Sequence, residues 1–105
     1  MSTRPQAVPT TQIDNDRVIV TEWRFAPGAE TGWHTHGHDY VVVPTITGLL
    51  HLETPEGLKE FPLIAGKSYT RGAGVNHNVI NASAHEVAFI EIEIRSYKKG
   101  RDTSC

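Results

Sequence analysis

Two glycine-bounded stretches decide the fold, 28–48 (GAETGWHTHGHDYVVVPTITG) and 66–81 (GKSYTRGAGVNHNVIN). The first contains His34 and His36, and side chains two residues apart on a β-strand point to the same face. Their imidazoles are therefore predicted to converge on one point. Neutral imidazole is a good ligand for divalent ions of the first transition row, and a histidine from a distant strand would complete a three-nitrogen site. His77 in the second stretch is the best candidate.

The sequence around these stretches consists of short β-type runs separated by Gly, Pro or Asn. No segment has the 3.6-residue apolar spacing of a long helix. The runs predicted as strands are Arg17–Ala26, Trp33–Thr45, Leu49–Glu53, Lys59–Ala65, Ser68–Arg71, His77–Asn81 and Val87–Arg95. Short strands at intervals of roughly ten residues predict an all-β, antiparallel sandwich or small barrel.

Composition limits the possible partners. The chain has 105 residues, 38% hydrophobic and 21% charged, which fits a single globular domain. The formal net charge is -2, so we expect no nucleic-acid and no membrane partner. We also expect neither a signal peptide nor a membrane span, because the N-terminus is polar and long apolar runs are absent. Cys105 is the one cysteine, which excludes an internal disulfide and favours a cytoplasmic location.

The two ends of the chain are polar, and the first contains two prolines. We therefore predict an extended N-terminal arm at 1–12, a barrel domain at 13–97 and a flexible tail at 98–105. The arm could also add an edge strand to a partner.

The spacing of residues in the two stretches resembles the two signature motifs of the cupin superfamily. The first motif, G-x5-H-x-H-x(3,4)-E-x6-G, is matched at Gly28, His34, His36 and Gly48. The second motif, G-x5-P-x-G-x2-H-x3-N, is matched at Gly66, Gly74, His77 and Asn81. This resemblance implies an antiparallel jelly-roll β-barrel, a homodimer, and one divalent transition metal bound by His34, His36 and His77.

Two positions depart from the cupin motifs. The proline of the second motif is Gly72, which is expected to loosen that turn. The glutamate of the first motif falls at Val41, which cannot bind a metal, or at Tyr40 if the shorter spacing is used. Three neutral ligands would leave the ion its full +2 charge and several open positions, which suits an anionic bidentate ligand.

Other residues are weaker candidates for the site. His38 has the parity of His34 and His36, but Gly37 favours a bulge that would turn it aside. His51 could reach the barrel interior, and His85 is expected to be solvated. Tyr40 and His38 are the predicted general acid–base residues.

The pocket walls are less well defined by the sequence. Trp23 and Trp33 are favoured as core or dimer packing rather than as substrate platforms. Glu91 and Glu93 share a face with Phe89. If Ile90, Ile92 and Ile94 face the lumen, the two glutamates are solvated, and this is the favoured alternative. If Glu91 and Glu93 face the lumen instead, they become acid–base groups near the metal. Possible orienting groups for an acidic substrate are Tyr40, Tyr69, Arg24 and Arg71, although arginines on strands usually lie at the surface.

Two functions follow from the proposed site. The first is a mononuclear metalloenzyme acting on a small anionic or carbonyl-bearing molecule. Its three-histidine centre resembles those of the thiol and diketone dioxygenases, which implies Fe²⁺ and oxygenation, whereas Zn²⁺, Ni²⁺, Mn²⁺ or Cu²⁺ would leave other chemistry open, such as Lewis-acid isomerase or lyase reactions. The alternative is a non-catalytic barrel that binds or senses a small ligand and keeps a structural metal. The segments TGWH (31–34) and DYVVVP (39–44) are also similar to those of small bacterial cupins described as beta-alanine degradation proteins.

Overall fold

The computed structural model describes residues 3–95, and its strands form two antiparallel sheets. The strands are β1 (Val8–Asp14), β2 (Val18–Phe25), β3 (His34–Thr35), β4 (Asp39–Ile46), β5 (Gly48–Thr54), β6 (Gly57–Leu63), β7 (Tyr69–Arg71), β8 (Asn76–Asn81) and β9 (Val87–Ile94). One sheet has the order β1-β2-β9-β4-β7 and the other the order β3-β8-β5-β6. The prediction of an all-β jelly-roll barrel is confirmed. Over 3–95 no helix is long and apolar enough to cross a membrane.

The strands differ most from the prediction at two places. The predicted run Trp33–Thr45 is divided, because the chain leaves β3 after Thr35 and enters β4 only at Asp39. At the N-terminus, β1 lies largely within the stretch predicted as an arm and pairs with β2 at the edge of its sheet. All seven of its residues are exposed, so it shows none of the apolar alternation by which a strand is recognised. The predicted tail 98–105 lies outside the described residues.

The core lies between the two sheets and fixes which face of each strand points inward. On β4 the buried residues are Tyr40, Val42 and Pro44, while Val41 and Val43 are half-buried on the opposite face. On β9 it is Phe89 that packs in the core, with its ring centroid 5.5 Å from that of Phe25. Because strand side chains alternate, the residues at 91 and 93 share the inward face of β9 with Phe89.

Two residues of the cupin-like motifs have structural roles away from the histidines. A Cβ at Gly48 would lie 2.5 Å from Cγ2 of Val87, so no larger residue fits without displacement. The buried Asn81 amide donates to the carbonyls of Phe25, Ala26 and His85 at 2.8 to 3.2 Å. Asn81 therefore ties the end of β8 to the end of β2 and to the loop before β9.

Candidate metal centre

The three predicted histidines are brought together by the pairing of β3 with β8. In this antiparallel pair His34 lies directly opposite His77, so their side chains share one face. His36 follows just after β3 and is held by two backbone hydrogen bonds: its N–H donates to the carbonyl of Val75, and its carbonyl accepts from the N–H of Gly74. Gly74 has a φ of 95°, a conformation that favours glycine. The turn at Gly74 in the second stretch thus positions His36 of the first stretch.

The distances between the ring nitrogens fit a single metal ion. Nε2 of His36 lies 3.0 Å from Nε2 of His34 and 3.3 Å from Nε2 of His77. Two nitrogens that are each about 2.1 Å from a shared ion lie roughly 3.0 Å apart at a right angle and about 3.4 Å apart at a tetrahedral angle. The three side chains could therefore hold one transition-metal ion, as the sequence predicts.

Neighbouring acceptors fix the tautomers of two of these rings. Nδ1 of His34 lies 2.8 Å from the carbonyl oxygen of Gly32, which can only accept, so this Nδ1 carries the hydrogen. Nδ1 of His36 lies 3.4 Å from a carboxylate oxygen of Glu93, with the same consequence. In both neutral rings the lone pair is therefore on Nε2, the atom that faces the common point.

Burial keeps two of the imidazoles in the form that binds metals. Burial, together with the neighbouring His34 and His36 rings, lowers the pKa of His77 to about 4. Burial also lowers the pKa of His36, with His34 adding to the effect and Glu93 opposing it. Both rings are neutral near pH 7, so protons do not compete with an ion for them.

Two acidic side chains reach the centre from β9, and here the favoured interpretation of the sequence is wrong. Glu91 and Glu93 have side chains only 13% and 20% exposed, and a carboxylate oxygen of Glu91 lies 3.9 Å from Nε2 of His36. Together with His36 they form a second group that could hold a metal. Burial and, to a lesser extent, the charge of Glu93 raise the pKa of Glu91 to about 7, with the Trp23 indole opposing the rise. The expectation of a centre without nearby acids therefore does not hold.

Tyr40 occupies the place beside His36 that the shorter motif spacing assigns to it. Its ring stacks on that of His36 with a centroid distance of 3.9 Å and an angle of 21°. The residue is 2% exposed, and its hydroxyl makes no hydrogen bond within the described part of the chain. Burial raises the pKa of Tyr40 strongly, with Glu91 adding to the rise and Arg71 opposing it. A neutral phenol with an unused donor thus lies at the edge of the centre.

Two cavities adjoin the three histidines. The wider one has a volume of about 290 Å³ and is lined by residues that include Trp23, His34, His36, Glu91 and Glu93. The narrow one has a volume of about 20 Å³ and is lined by residues that include Tyr40, Tyr69, Arg71, His77 and Glu91. Because Glu91, Val79 and Phe89 line both, the two cavities are neighbours along β9. Trp23 thus lines a pocket in addition to packing against the core.

The remaining histidines lie elsewhere. His38 is half-buried in the turn before β4 and belongs to neither metal-capable group, so its acid–base role stays a prediction. His51 contacts Glu60 at 3.2 Å on the neighbouring strand rather than the centre. His85 is exposed and its Nε2 donates to the carbonyl of Thr47.

Two other aromatic and basic candidates also lie at the surface. Trp33 is 55% exposed, so it does not pack in the core of the chain, and dimer packing, the other favoured alternative, stays a prediction. Arg24 forms exposed ion pairs with Glu22 and Glu86 and therefore lies away from the centre.

Two residues that support the centre were not predicted from the sequence. Thr31 accepts the N–H of Val79 through its hydroxyl and lies 3.3 Å from Nδ1 of His34. Buried Asn78 accepts the N–H of Gly32, whose carbonyl orients His34. Both hold the segment that sets the direction of the His34 ring. The one sequence signal for Asn78 is its position next to His77, which identifies no role by itself.

Comparison with known proteins extends these observations. The chain is 73% identical over 95 residues to the beta-alanine degradation protein BauB of Pseudomonas aeruginosa, covering 90% of this chain and all of BauB. The crystal structure of a cupin domain from Bordetella pertussis is 62% identical, with a TM-score of 0.88, covering 91% of this chain and all of that one. A cupin superfamily protein from Desulfitobacterium hafniense shares the fold at 14% identity, with a TM-score of 0.69 over 91% of this chain and 84% of that one. No family model matches the sequence. With two cupin-like motifs, a jelly-roll barrel and relatives of this identity, the chain belongs to the cupin superfamily and, within it, to the family of BauB.

Proposed function

We propose that this chain is a mononuclear metal enzyme that acts on a small anionic or carbonyl-bearing metabolite in beta-alanine degradation. The observation that carries the proposal is the convergence of three Nε2 atoms, two of them with tautomers fixed for metal binding. The metabolic context is taken from the name of BauB, with which the chain shares 73% identity.

Ferrous iron is the ion that we propose for the centre, on the likeness of three-histidine centres to those of thiol and diketone dioxygenases. When bound, a divalent ion supplies Lewis acidity, and iron adds redox chemistry toward oxygen. Zn²⁺, Ni²⁺, Mn²⁺ and Cu²⁺ also accept imidazole ligands, so the choice among them is an outcome of the experiment below.

The side chains of this protein have distinct parts in the proposed reaction. Glu93 accepts the Nδ1 hydrogen of His36 and so keeps the Nε2 lone pair directed at the centre. Phe89 and Val79 line both cavities with apolar surface, which limits the water around a bound molecule. The Tyr40 hydroxyl, which has no hydrogen-bond partner among residues 3–95, is placed to donate to a substrate oxygen.

Metal content of untagged protein tests the centre. We expect close to one transition-metal ion per chain, and a loss of nearly all of it in His77→Ala. His51→Gln is the matched control, because it removes a histidine on another strand that contacts Glu60 rather than the centre. Equal metal content in His77→Ala and in the parent protein would remove His77 from the site. Anomalous scattering at the centre would identify the element and its ligands together.

Catalysis is tested separately from metal binding. Oxygen uptake and product analysis with a panel of diketones, thiols and short amino-acid-derived acids would distinguish an oxygenase from Lewis-acid chemistry. If the metal-loaded protein turns over none of these but is stabilised by one of them against heat, the alternative applies, a barrel that binds or senses a small ligand.

We also propose that the protein is a homodimer in the cytoplasm. Several large apolar side chains are exposed on the single chain, among them Val8 and Ile13 of the edge strand β1 and Trp33 next to β3. An exposed edge strand with apolar side chains can be covered by a second copy of the chain. Light scattering coupled to size exclusion should give twice the 11.6 kDa mass of the chain, and Trp33→Ser should shift the distribution toward the monomer if this side is buried.

A further inference from the structure

Arg71 is a half-buried cation on β7. Within residues 3–95 its guanidinium forms neither a hydrogen bond nor an ion pair. It packs against two adjoining aromatic rings instead, 4.9 Å from the ring centroid of Phe61 and 4.8 Å from that of Tyr69. Cation–π contacts of this kind orient a guanidinium but leave its N–H donors free. An arginine held in this way is ready to receive an anion.

The pairing of β4 with β7 directs Arg71 toward the centre. Arg71 is the cross-strand partner of Tyr40, and residues directly opposite each other in an antiparallel pair point to the same face. Tyr40 is buried on the inward face and stacks on His36. Thr70 pairs with Val41 on the opposite face and is exposed. The register therefore places the Arg71 guanidinium and the Tyr40 hydroxyl on the same side of the sheet as the histidines.

The Tyr40 hydroxyl is a second polar group near Arg71 whose hydrogen-bonding capacity is unused. It is fully buried and has no hydrogen-bond partner within the described residues, which is uncommon for a polar atom in a folded protein. Tyr40 and Arg71 both line the narrow cavity of about 20 Å³, which is also lined by His77. This volume holds a group of the size of one water molecule, which corresponds to a carboxylate oxygen and not to a ring or a phosphate. Glu91 lines the same cavity but forms no ion pair with Arg71.

From this arrangement we infer that Arg71 and Tyr40 form a carboxylate-binding subsite beside the three-histidine centre, and that the ligand is a short aliphatic carboxylate. One carboxylate oxygen accepts from the guanidinium and from the Tyr40 hydroxyl in the narrow cavity. The rest of the molecule extends past Glu91 into the cavity of about 290 Å³ next to His34 and His36. The inference rests on the proposed function in that it places the ligand at the same centre.

Binding of propanoate to the metal-loaded protein, measured by calorimetry at constant ionic strength, tests the subsite. The uncharged isostere propanamide should bind about tenfold more weakly or worse, because a charge-assisted hydrogen bond is lost. Arg71→Met keeps the aliphatic stem and should weaken propanoate about 10- to 100-fold, and Tyr40→Phe about three- to tenfold. Arg24→Met is the matched control, since Arg24 is an ion-paired surface arginine on β2, and it should leave the affinity unchanged.

Metal content measured on the same samples keeps the two proposals apart. Arg71→Met should retain the metal content of the parent protein. If it does so and binds propanoate as tightly as the parent, the subsite is overturned while the metal centre stands. If instead propanoate binding depends on Arg71 but metal content does not depend on His77, the proposed function fails and the subsite stands. Should Arg71→Met not fold, Arg71→Lys, which keeps the charge but loses the planar fork, should still weaken propanoate severalfold; unchanged affinity in that variant also overturns the subsite.

Discussion

The candidate centre has two walls that are built differently. One wall is the β3–β8 edge, where His34, His36 and His77 are brought together by backbone pairing between the two motif segments. The other is β9, where Glu91 and Glu93 share the inward face with Phe89, which packs in the core against Phe25 of the neighbouring strand β2. The residues of the first wall are marked by motif spacing in the sequence, whereas the orientation of the second depends on core packing. The difference teaches that ligands and their electrostatic surroundings have separate structural origins in this barrel.

Asn81 anchors the end of β8, the strand that carries His77 of the histidine wall. Asn81→Ala removes three donated hydrogen bonds in a buried place and leaves carbonyls at Phe25, Ala26 and His85 without this partner. We expect a loss of about 3 kcal/mol or more in the free energy of unfolding, measured by urea denaturation. Asn76→Ala, on the exposed start of the same strand, is the control and should cost less than about 1 kcal/mol. Similar losses in the two variants would show that the buried hydrogen bonds of Asn81 do not anchor β8.

The same contrast explains how much the sequence could predict. The three ligands follow from residue spacing, because His34 and His36 share strand parity and the glycine turn before His77 returns the chain to them. The inward face of β9 does not follow, since Glu91 and Glu93 alternate with isoleucines and either face could be core by composition. The burial of Phe89 decides it, and that depends on Phe25, more than 60 positions away in the sequence. Strand β1 was not recognised for a related reason, since all of its residues are exposed at a sheet edge.

The contact between the two walls is the His36–Glu93 pair, and breaking it should weaken metal binding. Glu93→Gln removes the charge that accepts the Nδ1 hydrogen of His36. Loss of such a partner typically lowers metal affinity about 10- to 100-fold, which a competition titration with a chelator would measure. Glu60→Gln is a matched control. It removes a carboxylate that contacts His51 at 3.2 Å, a distance similar to that of the His36–Glu93 contact, but away from the centre. An affinity in Glu93→Gln equal to that of Glu60→Gln would mean that the acidic wall does not act on the ligands.

The two walls should also titrate in opposite directions in metal-free protein. The pKa of His77 is about 4 in the folded chain and 6.5 ordinarily, so the unfolded chain takes up the additional proton and folding weakens as pH falls from 6.5 to 4. The pKa of Glu91 is about 7 against an ordinary 4.5, so the folded chain keeps a proton and folding weakens as pH rises from 4.5 to 7. These effects oppose each other in the parent protein.

Glu91→Gln removes one side of this balance. Its free energy of unfolding should rise more steeply with pH between 4.5 and 6.5 than that of the parent. The difference is at most one proton, or about 1.4 kcal/mol per pH unit. Urea denaturation of chelator-treated protein at several pH values would measure it. Parallel curves for the two proteins would contradict the burial of Glu91 as the cause of its raised pKa.

The smallest expected effect on metal affinity comes from a substitution that restores the glutamate of the first cupin motif. Val41→Glu places a carboxylate at the position where the first cupin motif has its glutamate. Val41, however, pairs with the exposed Thr70 on the face of β4 opposite to Tyr40 and Val42, so the new carboxylate should point away from the histidines. We expect metal affinity within about twofold of the parent in the chelator titration and a stability change of roughly 1 kcal/mol or less for a half-buried site. A clear gain in metal affinity would show that β4 can turn the side chain at position 41 toward the histidines. In that case the register of β4, rather than the packing of β9, would decide which carboxylates reach the centre.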